Sequence, residues 1–234
     1  MPLAHLARLR EGTYRLFSQM FLYPDEERRT AVGEAADELW SKREALARFA
    51  FFRQWSEVLR SLKDIGQRSL SDIQTAYVSM FTTNAAGIPC PPYESVYREP
   101  EGQPTGWLQA QVESEYAAGG FALSPALGEL PDHVAVEMEF MALLCSREAQ
   151  AWEERNPTRG IRALRKQKVF LDSHLALWFP EFARQVAAAD SGGAYAAVGQ
   201  GAQAFISHDT DLLGALLETL PVGDRGVTEA SVSP

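Results

Sequence analysis

Cysteine and histidine are scarce in this chain: Cys90 and Cys145 alone of the first, and His5, His133, His174 and His208 of the second, among 234 residues. The two cysteines have no CxxC spacing, which excludes a disulfide framework and a zinc knuckle and fits a reducing compartment. There is no HExxH segment and no paired Glu-x-x-His signature, so the helical metal motifs with the most definite spacing are excluded. Ser95 lies in no GxSxG elbow, and Gly192-Gly193 and Gly199-x-Gly201 lack the preceding strand that a phosphate loop needs. Long apolar runs are missing as well. Nothing approaches the ~20 consecutive apolar residues of a membrane span, and Arg8, Arg10, Glu11 and Gly12 interrupt the first apolar residues before a secretory h-region can form. No segment alternates with period two for long enough to make a strand, and no repeat of solenoid length occurs. The expectation is a soluble, cytoplasmic, all-α protein without stable membrane insertion.

What is present in quantity is apolar mass and acid. Hydrophobic residues make up 46% of the chain and include twelve Phe, which is enough for one large core and excludes a disordered chain. Charge is unevenly placed. From Glu94 to Glu154 there are twelve Asp or Glu against Arg98 and Arg147, whereas residues 1–93 carry twelve basic and eleven acidic groups and 155–234 carry eight of each. The net charge of −9 is therefore that of one acidic segment on a neutral body. Such a segment attracts a basic partner and repels nucleic acid and anionic membrane.

Helical spacing dominates the rest. The stripe Leu6, Leu9, Thr13, Leu16, Phe17, Met20 and Phe21 predicts a first helix that Pro24 stops, and a more charged helix follows over about 25–40. Leu46, Phe49, Phe52, Trp55, Leu59 and Leu62 predict a third, broken by Gly66. Ser69 or Ser71 can cap the next, whose apolar face is Ile73, Tyr77, Met80 and Phe81. From Thr82 to Pro104 the pattern fails. The stretch holds five prolines and is too long for a plain connection, so it is a functional or mobile loop at about 82–104. Thr105 is placed to cap a short helix that Gly119-Gly120 ends. Asp132 begins a long helix to about Glu154, and Asn156-Pro157-Thr158 opens another. Its basic run, Arg159, Arg162, Arg165, Lys166 and Lys168, is most simply a solvated face, with a phosphate or nucleotide contact the minority reading. A break is expected at Pro180, and one or two helices after Gly192-Gly193. The fold class is thus all-α, a single-domain helical bundle over 1–220, with a small polar tail over 221–234 expected to be disordered.

Two segments stand out: Pro91-Pro92-Tyr93-Glu94-Ser95-Val96-Tyr97, and Pro131-Asp132-His133-Val134 some forty residues later. Asp132, after a proline and before an apolar-periodic run, has the position of an ordinary helix N-cap, worth about 1 kcal/mol. An Asp there can cap and also receive a basic ligand. Tyr93 and Tyr97, on a non-periodic loop, either pin that loop to the core or line a groove. His133 and Glu137 at i and i+4, with Glu129 a turn earlier, have a spacing that could ligate a metal.

In this order, these segments resemble the TorD/DmsD/NarJ family of redox-enzyme maturation chaperones. Tyr77-x-x-Met80-Phe81 followed by Pro92-Tyr93-Glu94-Ser95-Val96-Tyr97 is like the family's aromatic-x-x-Leu-Phe and Pro-aromatic-x-Ser-Val-Tyr segments. Leu130-Pro131-Asp132-His133-Val134 running into Glu137-Met138-Glu139-Phe140-Met141 is like its Glu-x-Pro-Asp-His-Leu…Glu-Leu-x-Phe-Met motif, and Phe170-Leu171-x-x-His174-Leu175 with Trp178 and Phe182 is a looser third part. Met80 stands where the family has Leu, and Tyr93 where some relatives have Trp.

The resemblance implies a helical cytoplasmic chaperone of the TorD-like type. It would bind the twin-arginine leader or the apo catalytic subunit of a molybdenum oxidoreductase, as a monomer or a helix-swapped dimer. Carried over position by position, the leader-binding groove would include Tyr77, Met80, Phe81, Pro92, Tyr93, Ser95, Asp132 and His133.

Charge and ring content agree with that implication. Two cations followed by an apolar helical stretch need carboxylates beside an aromatic groove. Glu94, Glu99, Asp132 and Glu137 can supply the first, and Tyr77, Phe81 and Tyr93 the second. No catalytic residue, metal or cofactor is expected. Two rival readings are a helical metal-dependent hydrolase or oxygenase built on His133 and Glu137, and a module for a guanine nucleotide or pterin.

Overall fold

A computed structural model describes residues 1–47, 49–66, 68–82, 87–99, 106–124, 127–190 and 193–220. The expected loop ends at 83–86 and 100–105, the Thr105 cap and the 221–234 tail lie outside the described residues. Eleven helices and no strand occur among the described residues: α1 (Leu3–Met20), α2 (Glu26–Ser41), α3 (Arg43–Leu46), α4 (Phe52–Gly66), α5 (Leu70–Phe81), α6 (Glu94–Arg98), α7 (Trp107–Ala118), α8 (Val134–Glu153), α9 (Pro157–Ser173), α10 (Leu175–Ala189) and α11 (Ala194–Thr219).

Local chemistry explains most boundaries. Asp25, Ser69 and Asn156 each accept a backbone N–H of the turn they open, from Arg28, Asp72 and Arg159. Pro157 sits just inside α9, where a missing N–H costs nothing. Two boundaries differ from expectation. The third helix does not begin at Leu46. The chain leaves α3 and restarts at Phe52, because Phe51 turns inward to meet Phe205 at 5.2 Å and His208 at 5.0 Å, and packing overrides propensity. Pro180 does not break the chain either. It lies inside α10, and the break falls at His174, whose φ of −128° and ψ of −100° are outside the helical region.

The core is built on α1 running along α8, with α9 against α8, α10 and α11 paired, and α4 packed on α11. Tyr14, Phe17, Phe21, Trp55, Phe170, Trp178, Phe179, Phe182 and Phe205 are fully buried at its centre. At the crossing of α11 over α4, Gly201 lets the backbones approach: a Cβ there would lie 2.2 Å from a Val58 methyl.

Inside this apolar body sits an ionic clamp that sequence reasoning missed. The Arg10 guanidinium on α1 donates to Asp209 on α11 at 2.5 Å, to Glu148 on α8 at 2.7 Å and to Gln167 on α9. Tyr14 donates to the second Asp209 oxygen at 2.8 Å, and Trp152 and Gln167 donate to Glu148 at 3.0 Å each. Burial alone would lower the Arg10 pKa, but the Asp209 and Glu148 carboxylates outweigh it and hold the charge. Four helices are thus tied at one point, around one guanidinium that two carboxylates share.

Candidate functional site

The Pro92–Tyr93 strand-like segment lies antiparallel to Asp132–His133. Glu94 N–H donates to the Asp132 carbonyl at 3.0 Å and Val134 N–H to the Pro92 carbonyl at 2.8 Å, so Tyr93 and His133 face each other across a one-residue bridge. Their rings meet edge to face, 5.1 Å apart. Tyr93 donates its hydroxyl to Glu129 at 3.1 Å, and His133 Nε2 is 3.8 Å from the same carboxylate.

Asp132 does not cap the helix it precedes. His133 holds that position, its Nδ1 accepting the Ala135 N–H at 3.1 Å. This places the hydrogen of the neutral ring on Nε2, and burial keeps the ring neutral by lowering its pKa to about 3. The Asp132 carboxylate instead crosses to α6 and accepts the Ser95 N–H at 3.0 Å. It serves as an N-terminal cap in trans, and anchors a helix of only five residues within the stretch expected to be loop.

α6 covers a nest of buried acid. Glu94 has no exposed surface; one oxygen pairs with Arg98, a turn along α6, and the other lies 2.8 Å from His174 Nδ1. Arg98 also donates to the Ser173 carbonyl at 2.5 Å, at the C-terminal end of α9 where a cation is favoured. Glu137 is equally buried and accepts the Trp178 indole N–H at 3.2 Å. Burial raises its pKa well above the ordinary carboxyl value, and the adjacent Glu94 charge adds to the rise. Tyr97 stacks on Trp178 at 5.4 Å and donates to Gln185 at 3.0 Å, pinning α6 to α10.

The nest is incompletely satisfied. Asp132 Oδ1, Glu137 Oε1 and His174 Nε2 are buried with no hydrogen-bond partner among the described residues. A proton on Glu137, beside Glu94, accounts for its orphan oxygen. Asp132 Oδ1 stays unpaired among the described residues, and a buried unpaired acceptor costs about 1–3 kcal/mol. Buried carboxylates with free lone pairs, rimmed by Tyr93, Tyr97 and Trp178, have the chemistry to take up a guanidinium. Among the described residues no group of three or more His, Cys, Asp or Glu is placed to hold a metal, and His133 spends its Nδ1 on the backbone.

Comparison with known proteins agrees with the motifs. Residues 33–184 match the family model described as nitrate reductase delta subunit. The chain belongs to that family, the TorD/NarJ group of redox-enzyme maturation chaperones. It is 29% identical over 196 residues to the chaperone protein TorD of Vibrio cholerae serotype O1, covering 84% of this chain and 83% of that one. It is 40% identical over 86 residues to the selenate reductase assembly chaperone protein of Thauera selenatis, covering 37% and 42% of the two chains. Over 113 residues it is 30% identical to the perchlorate reductase assembly chaperone protein of Dechloromonas aromatica, covering 48% of each. The crystal structure of a redox enzyme maturation protein from Archaeoglobus fulgidus superposes with a TM-score of 0.55 at 24% identity, covering 84% of this chain and 93% of that one, a likeness of fold.

Against the family motif, the structure brings Pro92, Tyr93, Glu94, Ser95, Asp132, His133 and Glu137 into one assembly. It does not lay the expected binding residues out as an open groove. Tyr77, Met80, Phe81, Pro92, Glu94, Asp132, His133 and Glu137 are all buried, and Tyr93, Ser95 and Glu99 are half-buried. Tyr77 and Phe81 belong to a ring cluster with Phe21, Phe182 and Tyr195, and the Tyr77 hydroxyl donates to the Phe21 carbonyl at 3.2 Å.

The acidic segment is also less exposed than its composition suggests. Glu94, Asp132, Glu137 and Glu148, four of its twelve acids, are interior, and Glu99 is occupied by the Gly106 and Trp107 N–H groups at the start of α7. Arg98 was not foreseen as part of the site, and Tyr97 and Trp178 stood in the motif segments but not among the residues expected to bind; Tyr97 takes the pinning role of its two expected ones. The i,i+4 spacing of Glu94 and Arg98 was the one signal that could have found Arg98. Among the described residues no helix is long and apolar enough to cross a membrane.

Proposed function

We propose that this protein is a cytoplasmic assembly chaperone for a molybdenum-containing oxidoreductase. It binds the twin-arginine leader, the apo catalytic subunit, or both, supports cofactor insertion and delays export until folding is complete. It does so without catalytic residues, metal or cofactor of its own. Family membership and the named roles of relatives in selenate and perchlorate reductase assembly support the client class.

The observation that carries the leader reading is Asp132. Its carboxylate is wholly buried, with one oxygen on Ser95 and the other unused. Glu94 and Glu137 lie in the same nest, and aromatic rings adjoin it. A leader arginine would take the unused oxygen and stack on a ring, while the apolar stretch behind it packs on Tyr93. Because α6 seals these groups, entry requires the Glu94–Arg98 segment to lift, with Arg98 exchanging its place on Glu94 for the client's guanidinium. The bond between Glu94 and Arg98 is then a closed-state stand-in for the client contact.

Titration calorimetry of a twin-arginine leader peptide, and of the same peptide with both arginines replaced by lysine, tests this. The expected result is clear preference for arginine and an affinity reduced by about tenfold or more in Asp132→Asn. Equal binding of the two peptides, with unchanged affinity and salt dependence in the variant, would reject the charge role.

A further inference from the structure

The basic run on α9 remains unused by this reading, and it borders a cavity that no part of the crossing lines. A cleft of about 620 Å³ opens between the C-terminal half of α7, the start of α9 and the α8 residue Phe140. Its floor is apolar: Phe140 and Ile161, with Val169 exposed at the far end. Gly119 gives the floor its depth, since a Cβ there would lie 2.6 Å from the Phe140 ring. Lys166 sets the width by donating to the Ala118 carbonyl at 2.7 Å, tying α9 to the end of α7.

The rim carries charge of mostly one sign. Arg162 and Arg165 line the cleft and are exposed, and no hydrogen bond or ion pair of either occurs among the described residues. Their neighbours differ: Arg159 is paired with Glu154 and Lys168 with Asp172. On the opposite wall the one acid is Glu115.

We propose that this cleft docks an acidic amphipathic helix of a partner protein. Arg162 and Arg165 are three residues apart, so their side chains stand about one helical turn apart. That spacing fits carboxylates at successive turns of a partner helix, each able to bind a guanidinium bidentately. The apolar floor of Phe140 and Ile161, with Val169 beyond it, takes the helix's apolar stripe. Glu115 fixes the orientation by excluding the partner's acidic side from the α7 wall. A phosphate or nucleotide would need several donors converging on one point. The free donors here are strung along an edge above an apolar floor. The same rim repels a twin-arginine leader, so the two sites select opposite chemistries.

The test uses the full chain and a synthetic peptide of about 18 residues, roughly five helical turns, with a Leu/Phe stripe flanked by Glu at i and i+3. Its counterpart has each Glu replaced by Lys. Fluorescence anisotropy is read for wild type and for the Arg162→Glu/Arg165→Glu double variant. Both residues are exposed, so the fold is retained and circular dichroism verifies it. The expected result is binding of the acidic peptide alone, weakened by salt and by about tenfold or more in the double variant. Amide protection on binding should appear in α7 and α9, while affinity for a twin-arginine peptide in the same variant stays unchanged or rises. Absence of binding by the acidic peptide, equal binding of both peptides, or insensitivity to the charge reversal would overturn the proposal. Displacement of the acidic peptide by stoichiometric inorganic pyrophosphate would also overturn it, because the cleft would then be a small-anion site.

Discussion

Two places in this molecule bury charge, and they do so differently. At the Arg10 clamp, one guanidinium faces Asp209 and Glu148, and Tyr14, Gln167 and Trp152 occupy further oxygens. At the α6 crossing, Arg98 pairs with Glu94 alone of three carboxyls, two imidazoles lie beside them, and three polar atoms have no partner among the described residues. The clamp joins four long helices and has nothing left to offer a ligand. The crossing holds a five-residue helix over acid whose hydrogen-bonding capacity is unspent. Satisfied burial specifies a fold, whereas unsatisfied burial stores a capacity to bind.

The largest expected effect separates the two most sharply. Arg10→Met leaves Asp209 and Glu148 buried without their cation and should cost about 3–5 kcal/mol, measured as a loss of urea midpoint or failure to fold. A stability within about 1 kcal/mol of wild type would mean that the clamp is not the fold's anchor.

Asp132→Asn is the contrasting substitution. The amide oxygen can still accept the Ser95 N–H, so the change in unfolding free energy should stay within about 1 kcal/mol. Leader affinity should nevertheless fall by about tenfold or more. A variant that unfolds as readily as Arg10→Met would place Asp132 with the clamp.

A smaller effect is expected for Arg98→Ala. Removing the in-chain guanidinium weakens the closed state, so leader binding should tighten by a few-fold as the tax on opening falls. Calorimetry showing weaker binding would mean that Arg98 supports the client contact and does not stand in for it.

The smallest is a slope with pH. Burial holds His133 at about 3, below the ordinary value of about 6.5, so the unfolded chain takes up a proton first and stability falls as pH drops from about 6.5 toward 3. Glu137 has the opposite sign. Its folded pKa is raised, so its contribution is complete below the unfolded value of about 4.3 and is lost as pH rises toward the folded one. Glu137→Gln, which mimics the protonated acid, should therefore gain on wild type in urea midpoints as pH rises above the unfolded carboxyl value of about 4.3. Parallel curves would show that Glu137 is ionised when folded.

Much of the fold was legible because its helices carry their own punctuation. Ser69, Asn156 and Pro24 mark real ends, and the Tyr77–Met80–Phe81 stripe is an inward face. What was not legible depended on partners distant in sequence. Phe51 leaves the helical path for Phe205 and His208, and α10 continues through Pro180 because the chain has already broken at His174. At the site, Tyr93 and His133 lie forty residues apart, and no local pattern pairs them. The family motif linked them, but it suggested a groove where the structure has a sealed crossing. The motif residues are read more naturally as the latch that holds α6 down than as a lining open to solvent. Asp132 shows how a local rule can mislead: its position suits a cap for α8, yet the carboxylate reaches the chain segment beside it.

The central claim is that the client's arginines reach buried acid by displacing α6. Hydrogen exchange at the Glu94 and Ser95 amides, held by the Asp132 carbonyl and carboxylate, measures it directly, with and without a saturating twin-arginine peptide. The expected result is faster exchange at those two amides in the complex, while the middle of α8 stays protected. A saturated complex in which both amides exchange as slowly as in the free protein would contradict it.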